Sequence, residues 1–140
     1  MIAESADLRR RTMQAVKSRD TKPEMIVRRL IHKEGYRYRL HRHDLPGKPD
    51  LTFPQLKKII FVHGCFWHGH DCKRGAREPK TNVEYWRQKI NRNKERDTKE
   101  QDALQSMGWD VLVIWECQLK DSNTLKERII RFLGAVNLLA

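Results

Sequence analysis

Cross-links, long apolar runs and flexible tracts are all scarce in this chain. Only three of its 140 residues are cysteine, an odd number that no set of internal disulfides can use up. No apolar stretch approaches the ~20 residues a membrane-spanning helix requires. Glycine and proline number seven and five, and no repeat, low-complexity tract or Pro/Gly/Ser-rich linker interrupts the sequence, which argues against a repeat architecture or tethered modules. The opening residues lack the pattern of a secretory signal, so a reducing, bacterial-type cytoplasm, close to the nucleoid, is the expected compartment. Acidic residues are also short, with 18 Asp and Glu against 29 Lys and Arg, for a net charge of +11. A charge this large on one small domain calls for a polyanion, and nucleic acid is the usual one.

What the chain does have is concentrated in residues 62–72, Val-His-Gly-Cys-Phe-Trp-His-Gly-His-Asp-Cys. Three histidines, two cysteines and an adjacent Phe-Trp pair are poor core material together. The third cysteine, Cys117, follows the apolar run 111–115. A buried strand there would return it to the first cluster, giving a Cys65, His70, Cys72 and Cys117 set suited to a closed tetrahedral zinc site. The alternatives are buried core thiols and, less well supported in a reducing compartment, disulfides.

Periodicity supplies the frame. Residues 6–17 are basic and helical in pattern, and form with their neighbours an N-terminal arm (1–20) expected to contact DNA. Residues 21–140 read as one domain. Thr21 and Glu24 have the spacing of a capping box, Met25, Ile26, Leu30 and Ile31 follow at helical intervals, and Gly35 ends the helix. Strands are expected at 36–40, 50–53, 58–62 and 109–115, helices at 82–107 and 121–133. That order predicts an α/β fold, a mixed four-stranded sheet flanked by helices. Trp109 and Trp115 are read as core.

Pro49-Asp50 at a strand start, followed about ten residues later by a central strand, is the skeleton of a metal-dependent nuclease; the second strand lacks the usual carboxylate and lysine. The full set Leu45-Pro46-Gly47-Lys48-Pro49-Asp50, His63-Gly64-Cys65-Phe66-Trp67-His68, His70 with Cys72, Tyr85-Trp86, Glu95-Arg96-Asp97, and Gly108-Trp109 through Trp115-Glu116-Cys117 resembles the very-short-patch repair (Vsr) DNA mismatch endonucleases over nearly the whole length. The resemblance implies a restriction-endonuclease-like fold, a structural Zn2+ on the Cys3His set and a catalytic Mg2+. It implies that Asp50 binds Mg2+ with the backbone carbonyl of Val62 (often Thr in the family), that His68 activates water with Asp97 orienting it, and that His63 is a second catalytic histidine. Gly69 and Asp71 replace residues that are often histidine there. Phe66, Trp67 and Trp86 match aromatics that wedge into DNA from the major groove, and Met13 one that approaches from the minor groove. Glu24 matches a family residue near the active site, although its capping role explains it.

The chemistry is coherent from the residues themselves. Phosphodiester hydrolysis needs charge neutralised at the phosphate and a base for water; a histidine titrates in the right range and a carboxylate can fix its tautomer. Exposed aromatics unstack a mismatched step more cheaply than a paired one. The substrate implied is duplex DNA bearing a T:G mismatch from deaminated 5-methylcytosine, nicked 5′ to the thymine. Functional links to a cytosine-5 methyltransferase and a MutL-type protein are implied with it, and a monomer is expected. The competing readings are a sequence-specific double-strand nuclease of the same fold and a non-catalytic zinc-stabilised DNA-binding module.

Overall fold

The computed structural model describes residues 20–73 and 81–134. The arm with Met13, Arg9, Arg10 and Arg11, and the loop segment with Arg74, Arg77 and Lys80, lie outside the described residues. The elements in chain order are α1 (Lys22–Lys33), β1 (Arg39–Leu40), β2 (Leu51–Phe53), β3 (Lys58–His63), α2 (Val83–Ser106), β4 (Asp110–Trp115), a 3-10 turn (Glu116–Lys120) and α3 (Ser122–Leu133).

Local chemistry explains most boundaries. Thr21 is extended and its hydroxyl accepts the N–H of Glu24 at 3.3 Å, with Pro23 in the first turn, where its missing N–H costs nothing. The reciprocal half of the capping box is displaced by one residue, because the Glu24 carboxylate accepts from the amide of Asp20 at 3.1 Å. Asp121 caps α3 by accepting from the Thr124 amide at 3.1 Å. The strand expected over 36–40 shortens to Arg39–Leu40. Tyr36 is drawn inward instead, 1% exposed, with its hydroxyl donating to the Gly134 carbonyl just past α3. Burying that ring against α1 and α3 outweighs three more residues of edge pairing.

The sheet runs β1-β2-β3-β4. β1–β2 and β2–β3 are antiparallel, and β3–β4 is parallel over its full length, from Lys58 opposite Asp110 to His63 opposite Trp115. A parallel pair cannot be joined by a hairpin, and α2 is the crossover. Two-residue alternation then divides β3 between two cores. Ile60, with Leu51, Phe53 and Ile114, packs under Val27 and Ile31 of α1 and Leu125, Ile129 and Leu133 of α3. Ile59 and Phe61 face the other way, with Leu45, Trp109 and Leu104 of α2. The result is three layers with α1 and α3 on one face and α2 on the other. His63, in phase with Ile59 and Phe61, emerges on the α2 face.

Trp109 is core as expected, 6% exposed. Trp115 is not: it is half-buried and stacked on the imidazole of His70, ring centroids 4.1 Å apart and planes at 14°. It ends β4, and its ring packs on the histidines of the loop, edge-on to His63 at 5.2 Å as well as flat on His70. Among the described residues no helix is long and apolar enough to cross a membrane.

In the described part of α2 the sole buried side chain is Leu104. Leu104→Ala is therefore expected to lower stability by roughly 2–4 kcal/mol and to loosen the whole helix. Urea denaturation with far-UV circular dichroism measures it; a loss under ~1 kcal/mol would mean that α2 is held by its polar contacts.

Candidate functional site

Antiparallel pairing puts the start of β2 and the end of β3 at the same edge of the sheet. The loop between β1 and β2 enters there, turning at Gly47, whose φ of +77° and closeness to α2 both require glycine: a Cβ would sit 2.8 Å from Glu100 Oε2 and 3.1 Å from Phe61. A cleft of about 1050 Å³ opens above this edge, lined among others by Glu24, Asp50, Val62, His63, His68 and Asp97.

Asp50 lies just before β2 and is anchored to β3, its Oδ2 accepting the Val62 N–H at 2.7 Å. Glu24, 1% exposed, lines the same cleft as Asp50, and its negative charge acts on the Asp50 carboxyl. Burial above all, then the Glu24 charge and contact, push the Asp50 carboxyl up from 3.8 to about 7 against the opposing Val62 N–H. Two carboxyl groups facing one half-dry cleft could hold a cation, and an all-oxygen set of this kind suits a hard divalent ion. Glu24 is a second carboxylate in the cleft, where strand patterning would look for one on β3. It arrives from α1, so no motif on the strands announces it.

Across the cleft, His68 Nδ1 meets Asp97 Oδ2 at 2.6 Å, joining the loop after β3 to the middle of α2. His63 stacks on His68, centroids 3.8 Å apart and planes within 3°. Burial, then the neighbouring His68, drops the His63 pKa to about 4, so its ring is neutral near pH 7. Its Nδ1 is buried without a hydrogen-bond partner.

On the far side of the same loop, Cys65, His70, Cys72 and Cys117 bring one donor atom each within 4.8 Å of one another. None of the three cysteines is in a disulfide. Cys117 donates its amide to Cys65 Sγ at 3.3 Å, and its own sulfur lies 3.6 Å from His70 Nδ1. The other nitrogen, His70 Nε2, lies 3.5 Å from Asp71 Oδ1, the outer partner a ligating imidazole generally has. Burial pushes the Cys65 thiol up to about 12, with Cys72 and Cys117 adding to it. Three sulfurs and an imidazole converging where a lone thiolate is so disfavoured fit a soft or borderline cation, not a core. Gly69 lets the loop lie flat on α2: at φ +62° a Cβ would come within 2.8 Å of Ile90 and 2.7 Å of Lys94. A side chain at this position would have to displace the Ile90 and Lys94 side chains.

The expected recognition aromatics form one edge-to-face cluster. Trp67 and Trp86 are 5.3 Å apart, Phe66 and Trp67 5.4 Å, Phe66 and Trp86 5.9 Å. They are half-buried in one another rather than freely displayed. Tyr85, 53% exposed, extends the cluster, and Lys89 Nζ lies 5.5 to 6.0 Å from the rings of Trp67, Trp86 and Tyr85. Asn93 of α2 donates to the Trp67 carbonyl at 2.8 Å, holding the loop to the helix. Met13 lies outside the described residues.

The family model for "DNA mismatch endonuclease Vsr" matches residues 4–74. Similar curated proteins include the type II nicking enzyme V.XorIIP of Xanthomonas oryzae pv. oryzae, 49% identical over 92% of this chain and 94% of that protein. The type II nicking enzyme V.NmeAIP of Neisseria meningitidis is 41% identical over 89% and 88%. The DNA mismatch endonuclease Vsr of Escherichia coli is 38% identical over 87% and 78%.

The electrostatics of Asp50 have a measurable consequence. Without a cation the folded state keeps a proton on Asp50 that the unfolded chain releases near its ordinary 3.8. Its contribution to stability is thus full below about pH 4 and lost as pH rises through about 7. Asp50→Asn escapes that loss. In buffer free of added divalent cation, the variant is expected to be more stable than the parent at about pH 8 by on the order of 2 kcal/mol, with the gap closing near pH 4. Denaturant titrations at both pH values test this; a gap of the same size at each would sink the assignment.

Proposed function

The chain belongs to the DNA mismatch endonuclease Vsr family, and on that footing we propose that it nicks the thymine strand 5′ to a T:G mismatch by Mg2+-dependent phosphodiester hydrolysis. That it is a DNA endonuclease, with DNA as its partner, follows from the family. The observation that carries the finer reading is the facing of Asp50 by the His68–Asp97 pair across one cleft, with an aromatic cluster at its rim.

The mixed sheet with helices on both faces is, in this reading, a restriction-endonuclease-like fold. Mg2+ on Asp50 and the Val62 carbonyl would neutralise charge at the scissile phosphate and stabilise the leaving oxygen. Glu24 adds negative charge beside Asp50 and strengthens the cation's hold. Asp97 accepts the Nδ1 proton of His68, leaving Nε2 as the base that removes a proton from the attacking water. The same carboxylate stabilises the imidazolium that results. His63, held neutral by its burial, supports the His68 ring face to face without opposing the charge His68 gains. Zn2+ on Cys65, His70, Cys72 and Cys117 closes the loop that carries Phe66, Trp67 and His68, so a structural ion orients both recognition and catalysis.

Phe66, Trp67 and Trp86 would enter the duplex from the major groove, with Met13 of the arm opposite them. Prying open a step costs a few kcal/mol, least at a mismatch. The net charge of +11 supplies sequence-independent attraction to phosphate. T:G pairs arise where 5-methylcytosine deaminates, so the enzyme would work as a monomer in the cytoplasm, alongside a cytosine-5 methyltransferase and a MutL-type protein.

The test is Mg2+-dependent cleavage of end-labelled duplexes, one with a single T:G pair in varied flanks and one fully paired. A nick 5′ to the mismatched thymine is expected. Cutting of both strands of paired DNA would replace this reading with a restriction-type one. His68→Ala is expected to lose at least ~100-fold in nicking rate while keeping zinc and DNA binding; near-normal nicking would remove His68 from the mechanism. Stripping zinc, or Cys65→Ala, is expected to lower the melting temperature by roughly 10 °C or more. Unchanged melting and metal content would leave the thiols as core residues.

A further inference from the structure

His41 belongs to none of the motifs above, yet it bonds to both segments that carry the cleft's carboxylates. Its ring Nε2 donates to Glu24 Oε2 at 2.8 Å, and its backbone N–H donates to the Asp50 carbonyl at 3.3 Å. Its φ of +47° is unusual for a residue with a side chain. That conformation turns the ring toward α1 while the amide stays on the strand side.

The rest of the surroundings leave Glu24 little freedom. Its Oε1 takes the Asp20 amide at 3.1 Å, and Arg28 approaches Oε2 at 3.4 Å while pairing with Asp20 at 2.8 Å. Arg28 and Asp20 pair with each other, and Asp20 Oδ1 also lies 4.0 Å from His41 Nε2, a longer contact than the one His41 makes to Glu24. His41 is the neighbour that fixes Glu24 relative to Asp50 rather than relative to its own helix. A carboxylate pair holds a divalent ion well only when both members are held at the right separation, because the protein otherwise spends binding energy in ordering them.

We propose that His41 is a positioning residue for the divalent-cation site: it ties the Glu24 carboxylate to the Asp50 segment and so sets the site's affinity for the ion. The inference rests on the reading of Asp50 as a cation ligand given above and extends it to a residue that touches neither the ion nor the reacting atoms.

The measurement is Mn2+ binding to the zinc-replete full chain, followed by electron paramagnetic resonance of the free ion, for the parent, H41A, H41Q and D50N. D50N identifies the site by abolishing the binding. H41A is expected to bind Mn2+ about tenfold more weakly than the parent. The Mg2+ concentration for half-maximal nicking should rise by a similar factor, with affinity of the zinc-replete protein for T:G duplex in Mg2+-free buffer unchanged. In H41Q the side-chain amide replaces the ring N–H and is expected to restore most of the loss. Parent-like Mn2+ affinity in H41A would overturn the proposal. So would a loss in H41Q equal to that in H41A, which would make the effect one of general packing. The binding comparison stands apart from catalysis: if the parent binds Mn2+ through Asp50 but does not nick T:G duplexes, the nickase reading fails and the role of His41 is still decided.

Discussion

The parallel pairing of β3 with β4 is the constraint on which the rest of the molecule depends. It runs unbroken from Lys58 opposite Asp110 to His63 opposite Trp115. Such a pair needs a crossover, and α2 is the crossover, laid over the face that carries Ile59, Phe61 and His63. Because the pairing ends at His63 and Trp115, the chains that leave the two strands depart side by side. Cys65 and Cys117, 52 positions apart, thereby come close enough for an N–H···S bond. The same helix returns Asp97 to His68. A slip of one residue would turn every side chain of β3 to the other face and separate all of these partners at once.

Around that frame the protein accepts groups that a purely structural core would exclude. Asp50 and Glu24 sit together at the sheet edge, and the imidazoles of His63 and His68 lie face to face. Each arrangement is unfavourable by itself: a buried carboxyl is held toward its neutral form, and a buried imidazole loses its proton. The strain is concentrated at one edge, while the apolar layers on both faces are continuous and ordinary. Local instability placed on a well-packed scaffold is the usual arrangement of sites that bind charge. The cysteine-histidine loop follows the same logic, since four ligand-type side chains replace the apolar contacts that a loop of Gly, His and Asp cannot make.

The elements were legible because their signals are local. Thr21 and Glu24 mark a helix start, the apolar run over 58–62 marks a central strand, and both elements form there. The strand at 36–40 was overestimated because alternation cannot tell that the Tyr36 ring is needed between α1 and α3. Trp115 departs from the expected core for a related reason. It continues an apolar strand in sequence, but it is the last residue of that strand, and the ring finds His70 rather than the core. The capping spacing of Thr21 and Glu24 is legible and half formed, with the Glu24 carboxylate on the Asp20 amide, and it conceals the larger fact that the same carboxylate faces the cleft of Asp50.

Sequence by itself determined the element order, the basic charge, the ligand-type residues of 62–72 and Cys117, and, through the spacing of whole motifs, the family. These are properties of residue type and short-range order, which one chain displays directly. Tertiary structure alone decided which of those residues meet. The pairing of Glu24 with Asp50, the stacking of His63 on His68 and the bridge from His41 to two separate elements all join segments that share no periodicity. They are brought together by a strand register and a crossover helix, and the free energy that selects that register is spread over two buried apolar faces rather than written at any of the residues it unites.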